Sequence, residues 1–310
     1  MARARLVVGT RGSPLALRQT ELAVAALRRA DPELAAADAV EIRVIRTSGD
    51  RFLDRPLAEL GGKGLFTKEI EEALLEGTVD LAVHSMKDVP TVLPAGLVIG
   101  AVLPREDVRD VLLTRDGVDL AGLPPGAVVG TASLRRAAQV RAHRPDLRVV
   151  PLRGNVGTRL ARLREGRVDA TLLARAGLLR LACDPGPHLV LEPEVMLPAV
   201  AQGAVGLECR ENDVKTLELL ERIDHLPTRT CVEAERACLA ELDGSCRTPI
   251  AGLCTVESGG YRFRALVAAP DGSEIWRAAA RTADDPRPLA REIGRRLRRA
   301  APDSLFASTR

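Results

Sequence analysis

Two patterns in this chain occur twice in the same order, and they constrain its fold more than any other feature. "LVVGTRGSPLALRQTELAVAAL" begins at Leu6 with a β-branched run, turns at Gly9, and enters a helix that Ser13 caps and Pro14 opens. "AVVGTASLRRAAQV" repeats the scheme: Val128-Val129-Gly130-Thr131, then Ser133 ahead of a helical stretch. The second pattern is Glu76-Gly77-Thr78-Val79-Asp80, echoed by Glu165-Gly166-Arg167-Val168-Asp169. Each echo follows an apolar-periodic helix (Ile70, Ala73, Leu74; Leu160, Leu163) that Gly77 or Gly166 terminates. Each precedes a short strand, "LAVHS" or "ATLLA". Helix–Gly–strand units alternating in this way predict an α/β fold with largely parallel sheets, in two similar halves joined at a cleft.

At 310 residues the chain is too long for one comfortable core, so two or three domains are expected. The last third changes character. "TCVEAERACLAEL" reads as a helix with Ala234, Cys238 and Leu242 on one stripe, stopped near Gly244. "TPIAGLCTV" follows, then "YRFRALVAA" and "SEIWRAAAR" around Pro270-Asp271-Gly272, which predicts strand–turn–strand. "LAREIGRRLRRAA" closes with Leu289, Ile293 and Leu297 at helical spacing. The expected layout is a discontinuous α/β domain (1–103 and 203–222), a second α/β domain (104–202) and a small α+β domain (226–310). "LPRED" and "LPAVAQGAVG" are the candidate crossings between the α/β halves.

Composition narrows the function classes. Hydrophobic residues at 46% and charged residues at 28% describe a globular chain, not a disordered one. No apolar run is long enough to span a bilayer, and the start has too short an apolar core for a secretory signal. A cytoplasmic protein with no membrane partner is expected. The six cysteines form no C-x-x-C pair and no Cys/His spacing suited to zinc, so most are expected as small buried hydrophobes and no metal is called for. The net charge of +3 hides a local excess: between Gly130 and Arg180 stand twelve arginines, no lysine and three acids. Guanidinium forks pair bidentately with carboxylate or phosphate, so the cluster suggests a polyanionic ligand. Nucleic acid fits poorly, because Phe52 and Phe66 are the only aromatics before Tyr261 and offer no base-stacking platform.

Particular residues can carry chemistry. Both "VVGT" turns place backbone amides at a helix N-terminus, a natural anion site; Arg11 flanks the first, Arg135 and Arg136 the second. "GGKGLFTKEIEEALLEG" sets Lys63 among glycines without the Walker A spacing, and suits a lid that brings a cation to an anionic ligand. "DLAVHSMKDVPT" ends a buried-type strand at His84-Ser85-Met86-Lys87-Asp88. Ligand sites in open α/β sheets lie beyond the carboxyl ends of strands, which places Lys87 and Asp88 well. Asp88 there can exchange a proton or oppose positive charge on a substrate nitrogen. His84 has no serine or cysteine partner nearby and reads as structural. In "AELDGSCRTPIAGL", Cys246 sits among turn formers, where a buried structural thiol is not expected. Arg247 favours its thiolate, while the end of the preceding helix disfavours it.

These stretches, with "REDVRDVLL", "LRGNVGTRLARL", "LLARAGLLRL", "LPAVAQGAVGLECR" and "ERACLAELDGSCRTPIAG", resemble the porphobilinogen deaminase (hydroxymethylbilane synthase) family, in order, from about residue 7 to 254. The resemblance implies a monomeric three-domain transferase of tetrapyrrole and heme biosynthesis. Its first two domains would be of the type II periplasmic-binding-protein kind. Four porphobilinogen molecules would be joined head to tail into linear hydroxymethylbilane, ammonia leaving each time, on a dipyrromethane primer held by a thioether. Cys246 matches the attachment cysteine and Asp88 the catalytic aspartate. Lys87, Ser133, Arg135 and Arg136 match positions that hold the primer; Arg11, Ser13, Arg153, Arg159 and Arg180 match those that hold substrate acetate and propionate groups. Lys63 and Phe66 match a mobile lid.

Two residues depart from the family's pattern. Ser245 stands where Gly-Gly-Cys is usual, and Ala201 stands where glycine is common; a required positive φ would strain the serine. Two other classes would use the same cations. A two-lobed binding protein for an acidic small molecule does no chemistry and needs no dipyrrole on Cys246. An arginine-rich RNA-binding protein would show steep salt dependence of RNA affinity.

Overall fold

The computed structural model describes residues 6–51, 67–242 and 248–306. Strands β1 (Leu6–Arg11), β2 (Val40–Ile45), β3 (Leu81–Ser85) and β4 (Leu97–Val102) lie in one sheet. A second sheet holds β5 (Asp110–Thr114), β6 (Val128–Gly130), β7 (Arg148–Val150), β8 (Ala170–Ala174) and β9 (His188–Leu191). The chain then returns to the first sheet as β10 (Val205–Arg210). The orders are β2-β1-β3-β10-β4 and β7-β6-β8-β5-β9, which are one topology written twice. In each sheet the first three strands of the order pair in parallel, and the fourth, β10 or β5, runs antiparallel to both its neighbours. The fold is α/β, with two lobes of one shared topology and a small α+β domain.

Helices α1 (Pro14–Ala30), α2 (Ser48–Arg51, a single turn) and α3 (Lys68–Leu75) belong to the first lobe. Helices α4 (Leu134–His143), α5 (Val156–Arg164) and α6 (Arg175–Arg180) belong to the second. Helix α7 (Val214–Glu221) packs Leu220 back into the first. The duplicated sequence patterns are duplicated physical devices. Gly77 and Gly166 take φ of 69° and 71°, the left-handed conformation that closes a helix. The next amides, of Thr78 and Arg167, reach back to the carbonyls of Ala73 and Arg162, at 3.0 Å in each case. Asp80 Oδ2 then accepts the Val7 amide, and Asp169 Oδ2 the Val128 amide, both at 2.8 Å. Helix stop, strand start and pairing to the neighbouring parallel strand, β1 or β6, are written in five residues.

Alternation along the strands builds two cores per lobe. In the first lobe Val8, Leu81, Val83 and Leu207 bury one face; Val7, Ile70, Leu74 and Ala82 bury the other. The second face also holds an ionisable group of three. His84 Nε2 lies 3.0 Å from Glu208 Oε2, both fully buried, and burial, followed by repulsion from Glu208, holds Glu71 above the usual carboxylate range despite the opposing influence of Thr67. His84 is thus a paired core histidine.

The third domain consists of α8 (Leu226–Glu241), a meander β11 (Ile250–Glu257), β12 (Gly260–Ala268) and β13 (Ile275–Thr282), and α9 (Pro286–Ala300). Ala234 and Cys238 from α8, Leu242 just past its end, and Ala290, Ile293 and Leu297 from α9 surround the fully buried Phe263. The described residues fall into two compact units: 6–51, 67–106 and 203–229 in one, and 107–202, 230–242 and 248–306 in the other. Within the second unit, the arginine-bearing lobe and the third domain share a core. Ala138 and Leu197 pack with Ala251, Leu253, Leu266 and Ala268. Arg141 donates to the Pro270 carbonyl at 2.7 Å. Glu235, wholly buried on α8, accepts the amides of Ala201 at 2.6 Å and Cys254 at 2.8 Å.

Candidate active site

In the first lobe, the candidate residues gather at the carboxyl ends of neighbouring strands. β1 ends at Arg11, and Ser13 caps α1 by accepting the Ala16 amide at 3.2 Å. That bond uses the hydroxyl oxygen and leaves its proton to donate. β3 runs into a single 3₁₀ turn, Met86–Asp88. Met86 and Val89 are buried on either side of the turn, and the Met86 amide donates to the Ala204 carbonyl at 3.0 Å. Gly206 makes room for this anchor: a Cβ there would stand 2.1 Å from the Met86 sulfur. With both flanks held, Lys87 and Asp88 are exposed beyond the strand end. Ser85 and Gln19 exchange hydrogen bonds beneath them, at 2.8 and 3.0 Å.

In the second lobe the equivalent strand ends carry cations. Ser133 caps α4, accepting the Arg136 amide at 3.4 Å, and Arg135 and Arg136 follow in the first turn. Both guanidiniums are buried against Asp110, which opens β5 and is wholly buried. Each donates its Nη2 to one Asp110 oxygen at 2.7 Å. Their Nη1 atoms donate to the carbonyls of Leu197 (2.7 Å) and Leu172 (3.0 Å). Gln202 adds a third hydrogen bond to Asp110, at 2.8 Å. Burial pushes the Asp110 carboxyl up, but Arg135 and Arg136 overcome it and hold it well below the usual carboxylate range. Burial, opposed by Asp110, draws the Arg135 guanidinium below its ordinary value.

The Arg159 environment differs. Asn155 caps α5, and Arg159 Nε donates to the Gly154 carbonyl at 2.9 Å. Burial, then the like charges of Arg136 and Arg153, pull its guanidinium down to about 10. Arg153 contributes a buried Nη1 with no hydrogen-bond partner among the described residues. A buried cation among cations, with an orphaned donor beside it, is the chemistry of a carboxylate site. Arg180 ends α6, half-buried. The lobe thus brings Ser133, Arg135, Arg136, Arg153 and Arg159 to the strand ends of one sheet, while Arg180 stands at the far end of α6.

Lys63, Phe66, Cys246 and Ser245 lie outside the described residues. Of the described thiols, Cys209, Cys231, Cys238 and Cys254 are buried and Cys183 is half-buried. Burial pushes Cys209 up to about 11 and Cys238 up to about 12, far from a reactive thiolate. Among the described residues no group of three or more His, Cys, Asp or Glu side chains is arranged to hold a metal, and no helix is long and apolar enough to cross a membrane. Asp110 was the functional neighbour that sequence reasoning passed over. Its signal was present: an acid opening "DVLLT", a strand otherwise apolar enough for full burial.

Two α/β lobes, with cationic strand ends in one and an exposed lysine–aspartate pair in the other, and a small α+β domain make up a protein suited to an acidic ligand. Residues 6–218 match the family described as "Porphobilinogen deaminase, dipyromethane cofactor binding domain", and residues 229–300 match "Porphobilinogen deaminase, C-terminal domain". The chain belongs to the porphobilinogen deaminase family. It is 51% identical over 301 residues to the porphobilinogen deaminase of Paracoccus denitrificans, covering 96% of this chain and 95% of that one. It is 48% identical over 309 residues to that of Desulforudis audaxviator, covering 99% of each. It is 49% identical over 306 residues to the chloroplastic enzyme of Pisum sativum, covering 97% of this chain and 83% of that one. Among solved structures, an ABC transporter / periplasmic binding protein from Brucella ovis overlaps 77% of this chain and 68% of its own, at 18% identity and a TM-score of 0.41. The chain is therefore a transferase of tetrapyrrole synthesis whose first region is built for a dipyrromethane cofactor.

Proposed function

We propose that this protein condenses four porphobilinogen molecules head to tail into linear hydroxymethylbilane, with release of ammonia, using a primer joined to Cys246. The observation that carries the reading is the Arg136–Arg153–Arg159 cluster, in which the Arg159 guanidinium is depressed to about 10 by burial and by its like-charged neighbours. Dipyrromethane suits these residues because each pyrrole ring carries an acetate and a propionate. When bound, it supplies a free pyrrole carbon to which each new unit is added.

This chain's residues divide the work. Each buried carboxylate costs several kcal/mol unless it is paired. Arg153 and Arg159, with Arg11, Ser13 and Arg180, hold substrate carboxylates; Lys87, Ser133, Arg135 and Arg136 hold those of the primer. Arginine does this without changing protonation state. Asp88 opposes the positive charge that develops on a substrate as ammonia leaves, and accepts the proton that the attacking pyrrole carbon sheds. Lys63 and Phe66 match the family's lid. A binding protein without chemistry would need neither a thioether on Cys246 nor an exposed Asp88. The protein is read as a cytoplasmic monomer, which light scattering on the purified chain checks.

The deciding experiment pairs intact mass with an Ehrlich-type colour test on the native chain and on Cys246→Ser. The native chain should be heavier by two pyrrole units and give colour, and the variant neither. Equal masses after allowing for the substitution, with no colour in either, would defeat the thioether claim.

A further inference from the structure

Asp110, Arg135 and Arg136 occupy positions that the other lobe fills with apolar side chains. Asp110 pairs with Ala174, the last residue of β8; its counterpart Val205 pairs with Ser85, the last residue of β3. Arg135 and Arg136 stand second and third after the helix cap Ser133, and Leu15 and Ala16 stand second and third after the cap Ser13. Gln139 and Gln19, each sixth after its cap, mark the same register. One backbone is thus built once with Leu15, Ala16 and Val205, and once with a carboxylate between two guanidiniums. Closing this corner of the fold needs no charge. Apolar residues commonly serve a buried position at least as well as an ion pair does, so the charges are kept for something other than packing.

Their geometry indicates what that is. Asp110 gives one oxygen to each arginine, and the carbonyls of Leu197 and Leu172 take one further nitrogen from each. Both guanidinium planes are therefore fixed at two points. The Nε atom of each has no hydrogen-bond partner among the described residues. Two guanidiniums against one carboxylate leave a net positive charge at the head of α4. We propose that Asp110 is a positioning residue: it locks the planes of Arg135 and Arg136 and allows two like charges to stand side by side, so that the pair meets ligand carboxylates without rearranging. The inference rests on the assignment of both arginines to the primer's carboxylates.

Two variants test it, each read by denaturation midpoint, primer content and steady-state kinetics. The first transplants the other lobe's residues: Asp110→Val, Arg135→Leu and Arg136→Ala together. It should fold with a midpoint at or above the parent's and carry less than about a tenth of the parent's primer. A midpoint far below the parent's means the charges serve the fold, and overturns the proposal. Full primer content with a parental KM shows that the arginines are not ligands, which overturns their assignment and the positioning role with it. The second variant, Asp110→Glu, keeps the charge and displaces it. It should keep the parental midpoint and carry less than about a third of the parent's primer. Full primer content here, alongside an impaired transplant, removes the positioning role alone and leaves the arginine assignment standing.

Discussion

Ala201 holds φ at +58°, a backbone region where an alanine Cβ crowds the following carbonyl. Its amide is fixed there by Glu235 Oε2 at 2.6 Å, so the conformation is imposed by the fold. This is the position where the family commonly has glycine, and the reason for glycine is now visible. Ala201→Gly should stabilise the protein by roughly 1 kcal/mol, measured by urea denaturation. A loss of stability on that change would contradict the strain. Asp88 makes a contrasting prediction, because its carboxylate is exposed beyond β3 and serves no packing. Asp88→Asn should keep the primer and the melting temperature while kcat falls by about 100-fold or more. Wild-type kcat in that variant would end its catalytic assignment.

Among elements, the strands carrying the two sets of strand ends differ in what lies beneath them. In the second lobe, Leu113, Leu160 and Leu173 share one apolar cluster. The matching places in the first lobe, by strand register and by distance from the helix-closing glycine, hold Glu208, Glu71 and His84. Glu71 feels burial first, then Glu208, with Thr67 and His84 opposing them and the neighbouring Glu72 adding to the rise. Its folded pKa is raised above 4.5, so its protonated form favours the fold below that pH. That contribution is lost as pH climbs through the raised value. Glu71→Gln should therefore flatten the decline in stability between acid and neutral pH, read as denaturation midpoint against pH. An unchanged profile would show that Glu71 titrates normally. Much of this level was legible in advance. The helix stop at Gly77 or Gly166 and the strand start at Asp80 or Asp169 use bonds within a few residues, so their signal is local. The reversed strands β5 and β10 were not legible, because their place in each sheet depends on pairings with distant segments. Asp110 was missed for the same reason: both its arginines lie more than twenty residues along the chain.

At the scale of the molecule, the sequence marks a third domain near residue 226 but says nothing about which lobe it joins. Its attachment depends on side chains that look like ordinary strand and turn residues. Gly272 is the clearest: at φ +77°, a Cβ there would stand 2.6 Å from the Ala142 amide of α4. Gly272→Ala should cost on the order of 1–3 kcal/mol and lower the melting temperature, with early proteolytic cutting in β12–β13. Parental stability would mean that the turn does not seat on α4.

The shared core of the third domain and the second lobe bears on how a growing product is counted. α8 and β11 flank residues 243–247; β11 enters that common core through Ala251 and Leu253, and α8 is tied to the second lobe where Glu235 accepts the Ala201 amide. A thioether on Cys246 would then have its two neighbouring elements in the same frame as Arg135, Arg136, Arg153 and Arg159. Length can be measured only from an origin, and if Cys246 holds the primer as proposed, the elements on either side of that origin are fastened to the lobe that carries the arginines.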